Sequence, residues 1–148
     1  MTRHLPVLIP LILLGSALLA TVAGLIRRRW AHRVALVAVA ADAAVAVWGL
    51  IEVVDGGTIT YELGGWAPPI GIEYVLDPLS AFFASVIAVV GALVMVGARG
   101  MVEAEIPDKD VPFFATSLLL LAGFQGIVVT GDLFNLYVFL EIAALAGY

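Results

Sequence analysis

DPLSAFFASVIAVVGALVMVG, residues 77–97, supplies a helix start signal and then a run fit for a bilayer. Asp77 suits an N-cap, and Pro78 falls at the first helical position, where a missing amide hydrogen is of least consequence. The run stays apolar to about Gly97, so the pattern predicts a helix over 78–97. At 1.5 Å per residue that is roughly 30 Å, the thickness of a hydrocarbon core. This stretch decides the fold class: an all-α polytopic membrane protein.

The composition agrees. Of 148 residues, 63% are hydrophobic and 13% charged, and the mean hydropathy is +1.11. The charges cluster between long apolar runs, so the net charge of −5 belongs mostly to connecting loops and identifies no partner. Nucleic acid is not expected as a partner; the lipid bilayer is. Without cysteine the chain has no disulfide, thiolate metal site or iron–sulfur ligation, and with only His4 and His32 it is a poor candidate for haem or zinc. No cofactor and no metal are expected.

Upstream of residue 77 the chain predicts helices over about 5–26 and 34–54. The first is longer than a signal-peptide core, carries Pro6 and Pro10 early and is followed by three arginines, whereas a signal peptide has its positive charge before the core, so it reads as a retained span. Arg27, Arg28, Arg29 and Arg33 form an arginine-rich loop over 27–33, read as a cytoplasmic anchor at the headgroups or, alternatively, as a site for an acidic partner. Asp42 falls deep in an Ala/Val-rich run, where it is either a transport residue or a structural acid hydrogen-bonded to a neighbouring helix. Between Asp55 and Asp77, two short β-branched or aromatic runs flank Gly64-Gly65-Trp66-Ala67-Pro68-Pro69, which predicts a β-hairpin-like outer loop between helices 2 and 3. Tyr61, Trp66 and Tyr74 fit an interfacial aromatic belt; a ligand-binding lid is the alternative.

Downstream, the loop from Ala98 to Asp110 is polar, and a helix is predicted over 111–129 with Asp110 as its cap. Gln125 lies within that helix between Gly123 and Gly126, placed to bond across a close helix contact or to line a hydrated path. A fifth helix over 133–148, capped by Asp132, is present for only about 24 Å of rise, short of a full crossing. The chain thus reads as about five transmembrane helices, the last incomplete, and as the N-terminal part of a larger membrane subunit. Six of the seven basic residues fall in the loops after helices 1 and 3. The positive-inside rule then predicts a multi-pass cell-membrane protein with its N-terminus outside and helix 5 running inward.

Helix 5 carries Glu141, nine residues past Asp132. A carboxylate at a helix centre costs roughly 2.5–3.5 kcal/mol on insertion scales, which makes it a functional hypothesis by default. At 100° per residue Tyr137, Ala144, Leu145 and Tyr148 share its stripe. The two tyrosines and the small alanine favour an interior-facing acid. Burial disfavours the charged form and a nearby cation favours it, so a carboxyl held between these influences can load and release a proton. The alternative is a protonated acid that only holds helices together. No lysine lies in any span, so a cationic partner has to come from elsewhere.

Gly64-Gly65-Trp66, Pro69-Ile70-Gly71-Ile72, Asp77 with Leu79-Ser80, and above all Thr130-Gly131-Asp132-Leu133-Phe134-Asn135-Leu136-Tyr137-Val138-Phe139 followed by Glu141 resemble the D-type subunits of the Mrp-type multisubunit sodium/proton antiporters. Related subunits form the antiporter-like arms of respiratory complex I and membrane-bound hydrogenases. The resemblance covers the chain from its first helix. It implies a fold of about fourteen helices with inverted five-helix repeats, and it matches Glu141 to a proton-path glutamate that works with a lysine two helices later. Residues 1–148 end before that lysine. Ala143, Ala144, Ala146 and Gly147 stand where relatives often carry larger or hydroxylated residues, and Asp42 has no counterpart in the pattern. The resemblance implies a secondary-transporter subunit, not an enzyme, exchanging protons for sodium or another monovalent cation beside other antiporter subunits. A proton-pumping arm of a redox complex is the second reading, and a non-transporting scaffold the third.

Overall fold

Within a bilayer every backbone polar group must be satisfied inside its own segment, and the apolar runs of this chain accordingly become helices. The computed structural model describes residues 2–106 and 108–148. Its helices are α1 (Leu5–Ile26), α2 (Arg28–Gly56), α3 (Pro78–Glu105), α4 (Asp110–Val129) and α5 (Leu133–Gly147), with a hairpin of β1 (Ile59–Glu62) and β2 (Glu73–Leu76) between α2 and α3. Among the described residues, α1 to α4 are long and apolar enough to cross a membrane, while α5 has 15 residues. The expected all-α polytopic class and the hairpin between the second and third helices are both present, and α1 has the predicted bounds.

The main departures from the sequence reading are at helix ends. The arginine-rich loop expected over 27–33 shrinks to a break at Arg27, whose backbone is extended (φ −149°, ψ 120°), and α2 begins at Arg28 rather than at residue 34. Arginine is a good helix former, and its long stem carries the charge to water while the backbone stays helical. For the same reason α3 continues past Gly97 to Glu105. Its added turns carry an Arg99–Glu103 ion pair at 2.9 Å, an i,i+4 pairing that supports an exposed helix. Asp110 is not the cap of α4. Lys109 occupies that position without a side-chain cap bond, and Asp110 starts the helix, where its charge complements the dipole.

The other two helix starts are built as the sequence predicts. Asp77 Oδ1 accepts from the Ser80 amide at 2.7 Å, and Ser80 Oγ accepts from the Asp77 amide at 2.8 Å, a reciprocal capping box. Asp132 Oδ1 accepts from the Asn135 amide at 2.8 Å. Its other oxygen, Oδ2, accepts from the Glu73 amide of β2 at 3.0 Å. The Gly131 amide donates to the Glu73 carbonyl at 2.8 Å, so the α4–α5 turn is fastened to the hairpin. Tyr74 is therefore not part of an interfacial belt: it is buried, edge-on to Phe139. Trp66 is exposed, and Tyr61 contacts His4.

α4 is the central element, touching α1, α2, α3 and α5, while α1 also packs on α2 and α2 on α3. The buried positions are dominated by alanine, which lets helix backbones approach closely where lipid offers no hydrophobic drive for association. The core divides into two apolar clusters stacked along the helix axes. One contains Ile9, Ala46, Ala84, Ala88 and Val129; the other contains Leu13, Ala38, Met95, Leu118 and Ala122.

Candidate functional site

The residues between those two clusters are polar. On α2, Asp42 lies between Ala38 and Ala46; on α4, Gln125 lies between Ala122 and Val129. Asp42 is 2% exposed and Gln125 is fully enclosed. Gln125 Nε2 donates to Asp42 Oδ2 at 2.9 Å and to the Ala84 carbonyl of α3 at 3.0 Å. One amide thus ties α2, α3 and α4 together at the depth where the apolar clusters meet. Neither Asp42 Oδ1 nor Gln125 Oε1 has a hydrogen-bond partner, although both are buried. Asp42 and Gln125 are separate candidates in the sequence; the fold makes them a pair.

Glu141 is positioned by two contacts of α5 on α4. A side chain at Gly126 would collide with the Phe139 ring, and one at Gly123 would meet Ala143 at 2.8 Å. Glycine at both positions lets the helices close. Glu141 lies between Phe139 and Ala143 in sequence, and Gln125 between Gly123 and Gly126. With the helices antiparallel, Glu141 stands at about the depth of Gln125. A turn of about 200° from Phe139 aims it to the opposite side of α5, away from α4.

Glu141, Tyr137, Ala144, Leu145 and Tyr148 are all exposed, as one stripe. The predicted shared face is present, and none of these side chains is covered within the chain. No hydrogen bond joins Glu141 to either tyrosine among the described residues. Glu141 and the Asp42–Gln125 pair share a depth but lie on opposite sides of the α4–α5 contact.

Two polar groups escaped the sequence reading. Asn135, buried, donates to Thr130 Oγ1 at 3.0 Å and helps close the α4–α5 turn. Its place two residues into a capped helix start was the available signal. His32 is buried against Phe114 with Nε2 unpartnered. Only the conversion of the arginine loop into helix brings it into the bundle, so no local signal pointed to it. Among the described residues, no cluster of three or more His, Asp or Glu side chains is arranged to hold a metal.

Four apolar helices of membrane-crossing length define a multi-pass membrane protein, here with a polar pair enclosed between two apolar clusters. Comparisons with known proteins make the class specific. No family model matches the chain. It is 40% identical over 149 residues to the NADH-quinone oxidoreductase subunit N of Desulforudis audaxviator, a match over 100% of this chain and 30% of that protein. It is 41% identical over 99 residues to the putative antiporter subunit mnhD2 of Staphylococcus epidermidis, covering 67% of this chain and 19% of that one. The solved structure of the membrane-bound sulfane sulfur reductase, an archaeal respiratory membrane complex, superposes with a TM-score of 0.89 at 32% identity over 98% of this chain and 29% of its own. The Mrp complex from a Dietzia species superposes with a TM-score of 0.79 at 29% identity, over 99% of this chain and 26% of its own. The chain belongs to the superfamily of antiporter-like membrane subunits shared by Mrp antiporters and complex I. It spans less than a third of the length of the relatives it matches.

Proposed function

We propose that the chain is part of an ion-translocating subunit of a multisubunit cation/proton antiporter in the cell membrane, with Glu141 as a proton relay. The observation that carries this reading is the placement of Glu141: a carboxylate in the middle of a short apolar helix, on a face that this chain leaves uncovered and that also presents Tyr137, Ala144 and Tyr148. A lone acid facing lipid would carry a penalty with no return, whereas one facing further helices of the same subunit or a neighbour gains hydration and partners. Relatives more than three times longer than the chain have the length to supply those helices. The family resemblance implies a lysine two helices beyond Glu141 as its partner. Tyr137 and Tyr148 extend the polar stripe by one turn toward the outer end and two toward the inner, placed to order water along it.

Orientation follows the basic residues. Arg27, Arg28, Arg29, Arg33, Arg99 and Lys109 lie at or near the end where α1 meets α2 and α3 meets α4, joined there by an Arg28–Asp108 ion pair at 3.1 Å. We assign that end to the cytoplasm and the hairpin to the outside. The exchanged cation is sodium on the family resemblance.

The test is exchange in inverted vesicles. Replacing Glu141 by Gln removes the proton-carrying carboxyl while keeping its shape, and the expected result is loss of cation-driven proton movement with normal assembly of the complex. Normal exchange by this variant sinks the assignment. The 40% identity to a quinone oxidoreductase subunit over the whole chain favours a second reading, a proton-pumping arm of a redox complex. Iron–sulfur subunits co-purifying with the chain, and proton movement driven by an electron donor rather than a cation gradient, would select it.

A further inference from the structure

We propose that Asp42 is a second proton-binding site inside the membrane, its carboxyl held neutral with the proton on Oδ1, and that Gln125 positions it. Two unpaired atoms point to this. A carboxylate accepts hydrogen bonds and donates none, and the Gln125 amide already places both observed donations elsewhere, on Asp42 Oδ2 and on the Ala84 carbonyl. That leaves Asp42 Oδ1 and Gln125 Oε1 as two buried acceptors with no donor between them. Buried acceptors without donors are rare in folded proteins because each loses its hydration without compensation. Adding a single proton to Asp42 Oδ1 converts that acceptor into a donor, supplying what the site lacks.

Charge leads to the same assignment. α1, α3 and α4 pack against α2. Leu5–Ile26 of α1, residues 78–98 of α3 and residues 111–129 of α4 contain no titratable or charged residue, so nothing facing Asp42 from these helices offsets a negative charge. On α2 itself the nearest ionisable residues are Arg33 and Glu52, nine and ten positions away along the helix, which is about 14–15 Å. Glu141 points off the far side of α5. An unpaired buried anion is far more costly than the neutral acid, which keeps its bond from Gln125. The reaction at the site is protonation alone: a water gives up or receives the proton, and no bond to carbon changes.

The location gives the site its use. Asp42 and Gln125 lie at the depth of Glu141, across the α4–α5 contact. Where Glu141 acts as the relay proposed above, the chain then holds two proton-binding carboxyls, one enclosed and one on the open face.

Infrared spectroscopy of the protein with its accompanying subunits tests this at neutral pH, where free aspartate is ionised. Working in a Glu141→Gln background removes the other acid and keeps the result independent of the relay reading. A protonated carboxyl C=O band should be present and should vanish when Asp42→Asn is added. Without the second substitution, carboxyl-carbon isotope labelling of aspartate should move the band to lower frequency, which keeps the proposal testable if Asp42→Asn fails to assemble. Identical spectra with and without Asp42→Asn, or a band that aspartate labelling does not move, overturn the proposal.

Discussion

At the residue scale the decisive distinction is between a buried polar pair that braces helices and one that also carries a proton. Both readings require the Gln125–Asp42 bond, so stability alone cannot separate them, but it tests whether the pair is real. Asp42→Asn keeps an acceptor for Gln125 Nε2 and places an N–H donor where Oδ1 now lacks one, so its unfolding should match that of the parent. Asp42→Leu removes an acceptor from a fully buried amide, and the cost should be about 1–3 kcal/mol, read as a lowered unfolding midpoint in detergent. Equal midpoints for the Leu and Asn variants would show that the bond contributes nothing. The sequence made Asp42 and Gln125 visible individually, because polar residues in apolar runs are conspicuous. Their partnership was not legible, since 83 residues separate them and only the packing of α2 on α4 brings them together.

At the element scale the helix starts were legible and several helix ends were not. Asp77 and Asp132 cap where predicted because capping is a local interaction between a side chain and amides two or three residues on. The extents of α2 and α3 were hidden because charge in a sequence resembles a loop signal, whereas arginine and glutamate continue a helix into the headgroup region without penalty. Asp77→Ala should cost about 1 kcal/mol. The Ser80 amide holds the Asp77 carboxyl below its ordinary range. A depressed carboxyl contributes stability above its unfolded value and loses that contribution as pH falls through the folded one, so the difference between Asp77→Ala and parent should shrink on acidification. Asp132→Ala should cost more than Asp77→Ala, because its second oxygen also holds the Glu73 amide of the hairpin. Thermal unfolding at neutral pH checks the order. The seat of α5 makes a separate prediction: Gly126→Val places a side chain in the Phe139 ring and should displace α5. A cross-link between cysteines introduced at Leu120 and Gly147, whose positions are in contact, should form readily in the parent background and poorly with Gly126→Val.

At the scale of the whole molecule, the bundle has a basic end and a hairpin end, and its sidedness can be read because the chain has no native cysteine. Single cysteines at Thr58 and Glu105, both exposed, should react with impermeant reagents from opposite sides of the membrane. Labelling from one side would refute the arrangement. The class of fold was legible from hydropathy and caps, and the stripe of Glu141 from helical periodicity. What that stripe faces was not legible, because none of its side chains is covered by these residues. The proton-relay role therefore depends most on the surroundings of Glu141 in the assembled protein. The direct measurement is the environment of a spin label or thiol probe at a Glu141→Cys position in the complete complex, challenged with a small water-soluble reagent and with a lipid-phase quencher. A hydrated interior predicts reaction with the first and protection from the second. Quenching from the lipid phase with no aqueous reaction would place Glu141 against the bilayer and contradict its role as a proton relay.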